Sequence, residues 1–401
     1  MLNPDEARAQ ILASCTPLRE GETIPLRAAV GRVLAQDVSS DVDMPPFRKS
    51  AMDGFAMSYA DLAEPERAPL TCVGESRAGA PFQGDVPTGT CVEIYTGAEV
   101  PDACDLVVMV EQTRRERDKV HIDGQHRVQQ NVCAKAEDLA VGKRVKSVGH
   151  RLSPTDLSVL AAVGCDPVPV WRQPRVTVLT TGDELVPPTQ TPGTGQIRET
   201  NTMHLAALAE RAGAEVDCMG LVRDEPEHLA QSFGEALEAA DVVLTTGGVS
   251  MGRYDLVAEA FLELGVEQIF HKVAIKPGKP LWFGKRDRTL VFALPGNPVS
   301  CLLDHEVFVR PALARLEGAS VEEIDLRVGR WSGPRRRGGP RQQHLPVTVS
   351  QDEEGHDLLI PIDWSGSADI VGLSTATALA VVEAGCEAHP GELLPYRSLY
   401  L

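Results

Sequence analysis

Arg175-Val176-Thr177-Val178-Leu179-Thr180-Thr181-Gly182-Asp183-Glu184-Leu185 is an apolar strand that runs into a glycine turn carrying two acids. The segments after it repeat the theme. Thr202–Arg211 reads as a helix ending at Gly213, Glu215–Leu221 as a strand, and Pro226–Ala239 as a helix with proline in its first turn. Asp241–Thr245 and Thr289–Leu294 read as strands, and Leu256–Leu264 and Val299–Leu316 as helices. Between them, Lys272–Ile275 and Leu281–Phe283 flank a Pro-Gly turn. Strands alternating with helices of this length imply parallel pairing and a doubly wound α/β sheet.

Outward from this block the pattern changes. Asn3-Pro4-Asp5-Glu6 is a helix start, with Asn as N-cap and Pro at the first position, leading into a short helix over Ala7–Cys15. A second short helix is expected over Ala28–Gln36, then an extended segment at Met44-Pro45-Pro46-Phe47. Residues 70–150 carry short alternating runs such as Cys91-Val92-Glu93-Ile94-Tyr95 and read as β-rich. Pro154–Ala162 reads as a helix, and Asp166–Val170 as an edge strand and linker. From about Ser320 short strands return, separated by Gly/Pro turns. No solenoid repeat is visible.

The chain has 401 residues, 43% of them hydrophobic and 24% charged, which implies two to four globular domains. Its net charge of −18 excludes non-specific nucleic-acid binding and attachment to anionic membranes. Nine scattered cysteines form no C-x-x-C pair, which argues against a zinc ribbon or iron–sulfur cluster and suits a reducing compartment. There is no apolar run of about 18 residues and no basic stretch before the first apolar one, so a cytoplasmic protein is expected.

In a doubly wound sheet, ligands bind at the carboxyl ends of the strands. Three loops at such ends stand out: Thr180–Leu185, Thr245-Thr246-Gly247-Gly248-Val249-Ser250, and Leu294-Pro295-Gly296-Asn297-Pro298. Any one could be a turn that merely needs glycine; together they suit a phosphate or oxyanion approached by backbone N–H groups and hydroxyls. The stretch Gln268–Arg286 carries Lys272, Lys276, Lys279, Lys285 and Arg286 and no acid, a local reversal in an acidic chain. Arg335-Arg336-Arg337 is assigned to solvent. Asp224 and Asp255 each precede a helix; they are either N-caps or, as a pair beside anion-binding loops, magnesium ligands. Ser-His-Asp catalysis is unsupported, since no G-x-S-x-G elbow occurs. In Ser50-Ala51-Met52-Asp53-Gly54-Phe55-Ala56, small residues surround a lone Asp, which by itself means only a turn.

The S-A-M-D-G segment at Ser50, Tyr95-Thr96-Gly97-Ala98, Thr181-Gly182-Asp183-Glu184-Leu185, Gly247-Gly248-Val249-Ser250, Lys276-Pro277-Gly278-Lys279-Pro280 and Leu294–Ser300 occur in one order. That order resembles the molybdopterin molybdenumtransferases, the MoeA family that includes the E domain of gephyrin. The resemblance implies an α/β domain like that of the molybdopterin adenylyltransferases (1–20 and 174–318) and an extended connecting domain (21–45 and 141–173). It further implies a β-rich domain (46–140), a β-barrel-like C-terminal domain (319–401), and a homodimer whose cleft joins domains of both subunits. The implied reaction is magnesium-dependent insertion of molybdate into adenylylated molybdopterin, with release of AMP. Matched motif by motif, catalytic roles fall on Asp53, Thr96, Glu184, Asp224 and Asp255, the last two also holding metal. Substrate binding falls on Asp183, Gly247, Gly248, Ser250, Lys272, Lys276, Lys279, Pro295, Gly296, Asn297, Pro298 and Ser367. Val371-Gly372 stands where paired serines are common, and Thr377 where asparagine is common. The competing readings are a pterin carrier or scaffold and an adenylyltransferase; an adenylyltransferase is also a candidate partner.

Overall fold

A computed structural model describes residues 1–63, 68–248, 256–319 and 326–399. The chain divides into two units, one of residues 36–148 and 154–167, the other of 1–35, 149–153 and 168–401. No described helix is long and apolar enough to cross a membrane.

The first unit is built on a six-stranded sheet, ordered Leu106–Met109, Gly54–Met57, Thr90–Ile94, Leu70–Ser76, Lys119–Ile122 and Thr113–Glu116. Period-two alternation sorts its side chains: Phe55 and Met57 join one buried cluster with Leu106 and Val108, while Ala56 joins another with Ile94 and Val107. Gly54 lies so close to the neighbouring strand that a β-carbon would stand 1.9 Å from the Val108 carbonyl oxygen. The glycine after Asp53 is therefore a strand-contact residue. The expected helix Pro154–Ala162 is present in this unit.

In the second unit, a six-stranded sheet runs Glu215–Val222, Arg175–Thr181, Val242–Thr246, Thr289–Leu294, Trp282–Arg286 and Glu267–His271. The first four strands are parallel, as the α/β alternation requires. The last two are antiparallel, so the sheet is mixed. The basic stretch thus contains an edge hairpin, with Glu267–His271 rather than Lys272–Ile275 facing Trp282–Arg286. Both faces are covered. Val242 and Leu244 pack with Leu205, Val299 and Leu302 on one side, and Val243 packs with Phe233 and Phe261 on the other. Phe233 and Phe261 stack at 4.2 Å. The long C-terminal helix extends from Pro298 to Leu316 but carries a π-helical turn over His305–Val309.

The helix Pro4–Ser14 opens with the full capping box, Asn3 and Glu6 each accepting the other's backbone N–H. Ala28–Gln36 is not a helix. A 3₁₀ turn covers only Leu26–Ala28, after which Val33 and Leu34 form bridges with Arg151 and Val170. Tertiary pairing has overridden a weak local preference. At the C-terminal end, Gln342–Gln351, Asp357–Pro361, Arg327–Trp331, Leu393–Ser398 and Ala378–Val382 close into a five-stranded barrel. Trp331, Val347, Leu359 and Tyr396 fill it. Ile275–Lys276 adds to this barrel in parallel with Gln342–Gln343, which brings the lysine turn to the barrel rim.

Candidate active site

Because Arg175–Thr181, Val242–Thr246 and Thr289–Leu294 are parallel neighbours, the loops after them meet at one sheet edge. A β-carbon on Gly247 would stand 2.1 Å from the Thr181 carbonyl oxygen, and one on Gly296 would stand 3.9 Å from the Gly247 α-carbon. Asn201, buried at the start of its helix, donates to the Gly296 carbonyl at 2.7 Å and so pins the Pro-Gly-Asn-Pro turn. Ser250 and Asp255 lie outside the described residues.

Beside these loops is a cavity of about 480 Å³. Its walls bring together Lys276, Lys279, Pro295, Asn297 and Ser367 from the family motifs. Asn297 Nδ2 donates to the Ser367 hydroxyl at 2.9 Å, and the Ser367 carbonyl accepts from Val299 N–H at 3.1 Å, so the glycine-serine segment is tied to the helix start. Ser300, Arg336, Arg341, Trp364 and Ser365 also line it, and the sequence assigned none of them a role in the site. Arg336 is a correction: it faces the cavity rather than bulk solvent alone. The signal for Arg341 was the pairing of its neighbour Gln342 with Ile275, a contact no local pattern reveals. Val371, in the segment that departs from the family pattern, is 77% exposed and is not part of the lining.

The cavity is basic. Among the described residues, Lys276, Lys279 and Arg336 have no acidic partner, and Arg341 donates only to the Ile275 carbonyl. Behind Gly278, a lining residue, is Asp304, which is fully buried. Its carboxyl presses on Gly278, where a β-carbon would stand 2.3 Å from Oδ1. Neither carboxyl oxygen has a hydrogen-bond partner among the described residues, and burial pushes this group well above the usual carboxylate range. Burial therefore disfavours the charged form of Asp304, which is itself outside the lining.

Lys272 is placed differently. It sits at positive φ (75°), donates its backbone N–H to Leu281, and is absent from the lining. Asp183 and Glu184 are exposed at the end of the first strand. Asp224 is half-buried; burial raises its carboxyl pKa, and the charges of Asp183 and Glu184 add to that, while the Thr181 hydroxyl and the Asp183 amide pull the other way. Asp224 is not the N-cap of Pro226–Ala239, a position held by Glu225. The three acids follow the ends of two neighbouring strands and offer the hard oxygens that magnesium takes, but they do not form a compact ligand group among the described residues. The one compact ligand group among the described residues, Asp352, Glu354 and His356, is instead an exposed turn in which Asp352 accepts backbone N–H groups.

In the other unit, Asp53 and Thr96 meet. Asp53 Oδ1 accepts from the Thr96 amide at 2.7 Å and from its hydroxyl at 2.8 Å. The amide first, then the hydroxyl, hold the carboxyl below its ordinary range, so it stays ionised.

Comparison with known proteins places the chain among similar ones. A family model described as the MoeA N-terminal region (domain I and II) matches residues 2–164, and one described as a probable molybdopterin binding domain matches 177–315. The molybdopterin molybdenumtransferase of Haemophilus influenzae is 38% identical over 319 residues, 79% of this chain and 78% of that protein. The protein of the same name from a Nostoc species is 33% identical over 376 residues, 92% of this chain and 86% of the other. The crystal structure of a molybdopterin biosynthesis MoeA protein from Pyrococcus horikoshii superposes with a TM-score of 0.85 at 30% identity, covering all of both chains.

Proposed function

The chain belongs to the molybdopterin molybdenumtransferase family, and from that premise we propose that it inserts molybdate into adenylylated molybdopterin and releases AMP. The observation that carries the reading is the cavity in which Lys276, Lys279, Arg336 and Arg341 surround the hydroxyls of Ser300 and Ser367. Unpaired cations and hydroxyl donors in a chain of net charge −18 suit a small tetrahedral dianion. The ligand dithiol then forms two metal–sulfur bonds, and one oxo group leaves as water, carrying the two thiol protons. Water cleaves the phosphoanhydride, leaving a phosphate on the pterin and freeing AMP.

Magnesium, when bound, would neutralise phosphate oxygens, and Asp224, beside Asp183 and Glu184, is the described acid that would contribute to holding it. The ionised Asp53, locked by Thr96, acts as a fixed base or hydrogen-bond acceptor for the substrate. The reading includes the four-domain partition that the motifs imply and a homodimer, which sedimentation at about twice 43.2 kDa would support. Incubation with adenylylated molybdopterin, magnesium and molybdate is the test. AMP release together with cofactor formation is expected. Binding without turnover would point to a carrier, and formation rather than consumption of the adenylylated pterin to an adenylyltransferase.

A further inference from the structure

A second cavity, of about 540 Å³, adjoins the first and shares Lys276, Arg336 and Arg341 with it. Its remaining wall is the turn Arg335–Pro340, whose three arginines the sequence assigned to solvent. No acid lines it. Arg335 is held by Glu387 through two hydrogen bonds, and Glu387 also feels the charge of Arg337. Among the described residues, neither Arg336 nor Arg337 forms an ion pair within 4.0 Å, Glu387 being paired with Arg335. The turn is anchored from below. Gln343, 4% exposed, donates to the Arg337 carbonyl at 3.1 Å, and Arg336 exchanges backbone hydrogen bonds with Ala388. These contacts hold the backbone of the arginine turn in place along the cavity that Arg336 and Arg337 line.

The two cavities differ in donors. Beyond the shared Lys276, Arg336 and Arg341, the inner one adds Lys279 and the serines Ser300, Ser365 and Ser367, which suit a compact tetrahedral ion held from several sides. The outer one adds Arg335 and Arg337 and no hydroxyl, and guanidinium forks pair with two oxygens of one phosphate at a time. We propose that the outer cavity is a second anion site, taking a phosphoryl group while the inner cavity holds the tetraoxo anion. This rests on the reading of the inner cavity as the molybdate site. The shared side chains, Lys276, Arg336 and Arg341, stand between two dianions and screen them from each other, so both can be bound at once.

Titration calorimetry on the full chain tests this with molybdate, inorganic pyrophosphate and AMP as probes. Arg337 lines only the outer cavity and Lys279 only the inner. Arg337→Gln is expected to weaken pyrophosphate by about tenfold and to leave molybdate within about twofold. Lys279→Gln is expected to do the reverse, and Arg337→Lys to recover pyrophosphate only in part. Pyrophosphate should still bind when molybdate is saturating. Equal Arg337 dependence for AMP assigns the site to a nucleotide phosphate; dependence for pyrophosphate alone assigns it to a free inorganic anion. Stoichiometric displacement of pyrophosphate by molybdate, or unchanged pyrophosphate affinity in Arg337→Gln with an unchanged melting temperature, would overturn the proposal. If instead wild-type protein binds pyrophosphate but not molybdate, the inner-cavity reading fails and the outer site stands.

Discussion

Asp53 is exposed and its contacts are local, so its removal should touch chemistry and spare the fold. Asp53→Ala is expected to melt within a few degrees of wild type while turnover falls by about 100-fold or more, read as AMP release. Unfolding, or full activity, would remove it from the site. His344 has the opposite character. It is buried beside Arg397, and burial first, then that charge, lowers its pKa to about 3. Its Nε2 bonds Gln342 Oε1 at 2.8 Å, which suits the neutral ring. Between pH 6.5 and 3 the unfolded chain binds a proton at this ring that the folded chain refuses. Stability should therefore fall as pH drops through that window, by at most about 1.4 kcal/mol per pH unit from this group. His344→Gln should flatten the acid limb of a denaturation-midpoint curve; an unchanged limb would exclude the ring as its source.

At the scale of elements, two glycines separate packing from binding. Gly54→Ala drives a methyl into the Val108 carbonyl and should cost about 1–3 kcal/mol or more, seen as a lower denaturant midpoint. Gly278→Ala, at φ +103° against Asp304, should distort the turn that carries Lys276 and Lys279. Its expected signature is a molybdate affinity loss larger than the stability loss, with calorimetry and melting measured on the same sample. The parallel strands and their glycine loops were legible because apolar runs ending in Thr-Gly or Pro-Gly are local signals. The edge hairpin Glu267–His271 and Trp282–Arg286 was not legible, because a short apolar run does not announce its partner. Arg336 and Arg341 were illegible for a related reason: only barrel closure and the Ile275–Gln342 pairing carry them to Lys276. Asp224 looked equally like a cap and a ligand until the helix start fell on Glu225.

For the molecule as a whole, a basic cavity open to solvent in a chain of −18 makes ionic strength a direct probe. Raising salt from about 0.05 M to 0.5 M should weaken molybdate binding severalfold, since screening shortens the reach of exposed cations. Salt-independent affinity would mean the lysines do not contact the ion. The buried carboxyl beneath Gly278 gives the same question an optical form. A protonated acid with no hydrogen-bond partner has a carbonyl stretch that stands apart from amide and carboxylate bands, and its frequency follows the local field along the bond. Asp304, packed behind the cavity-lining Gly278, is thus expected to serve as a vibrational label. An infrared difference spectrum recorded on adding molybdate should show one narrow band moving as charge arrives above it, and Asp304→Leu should erase that band.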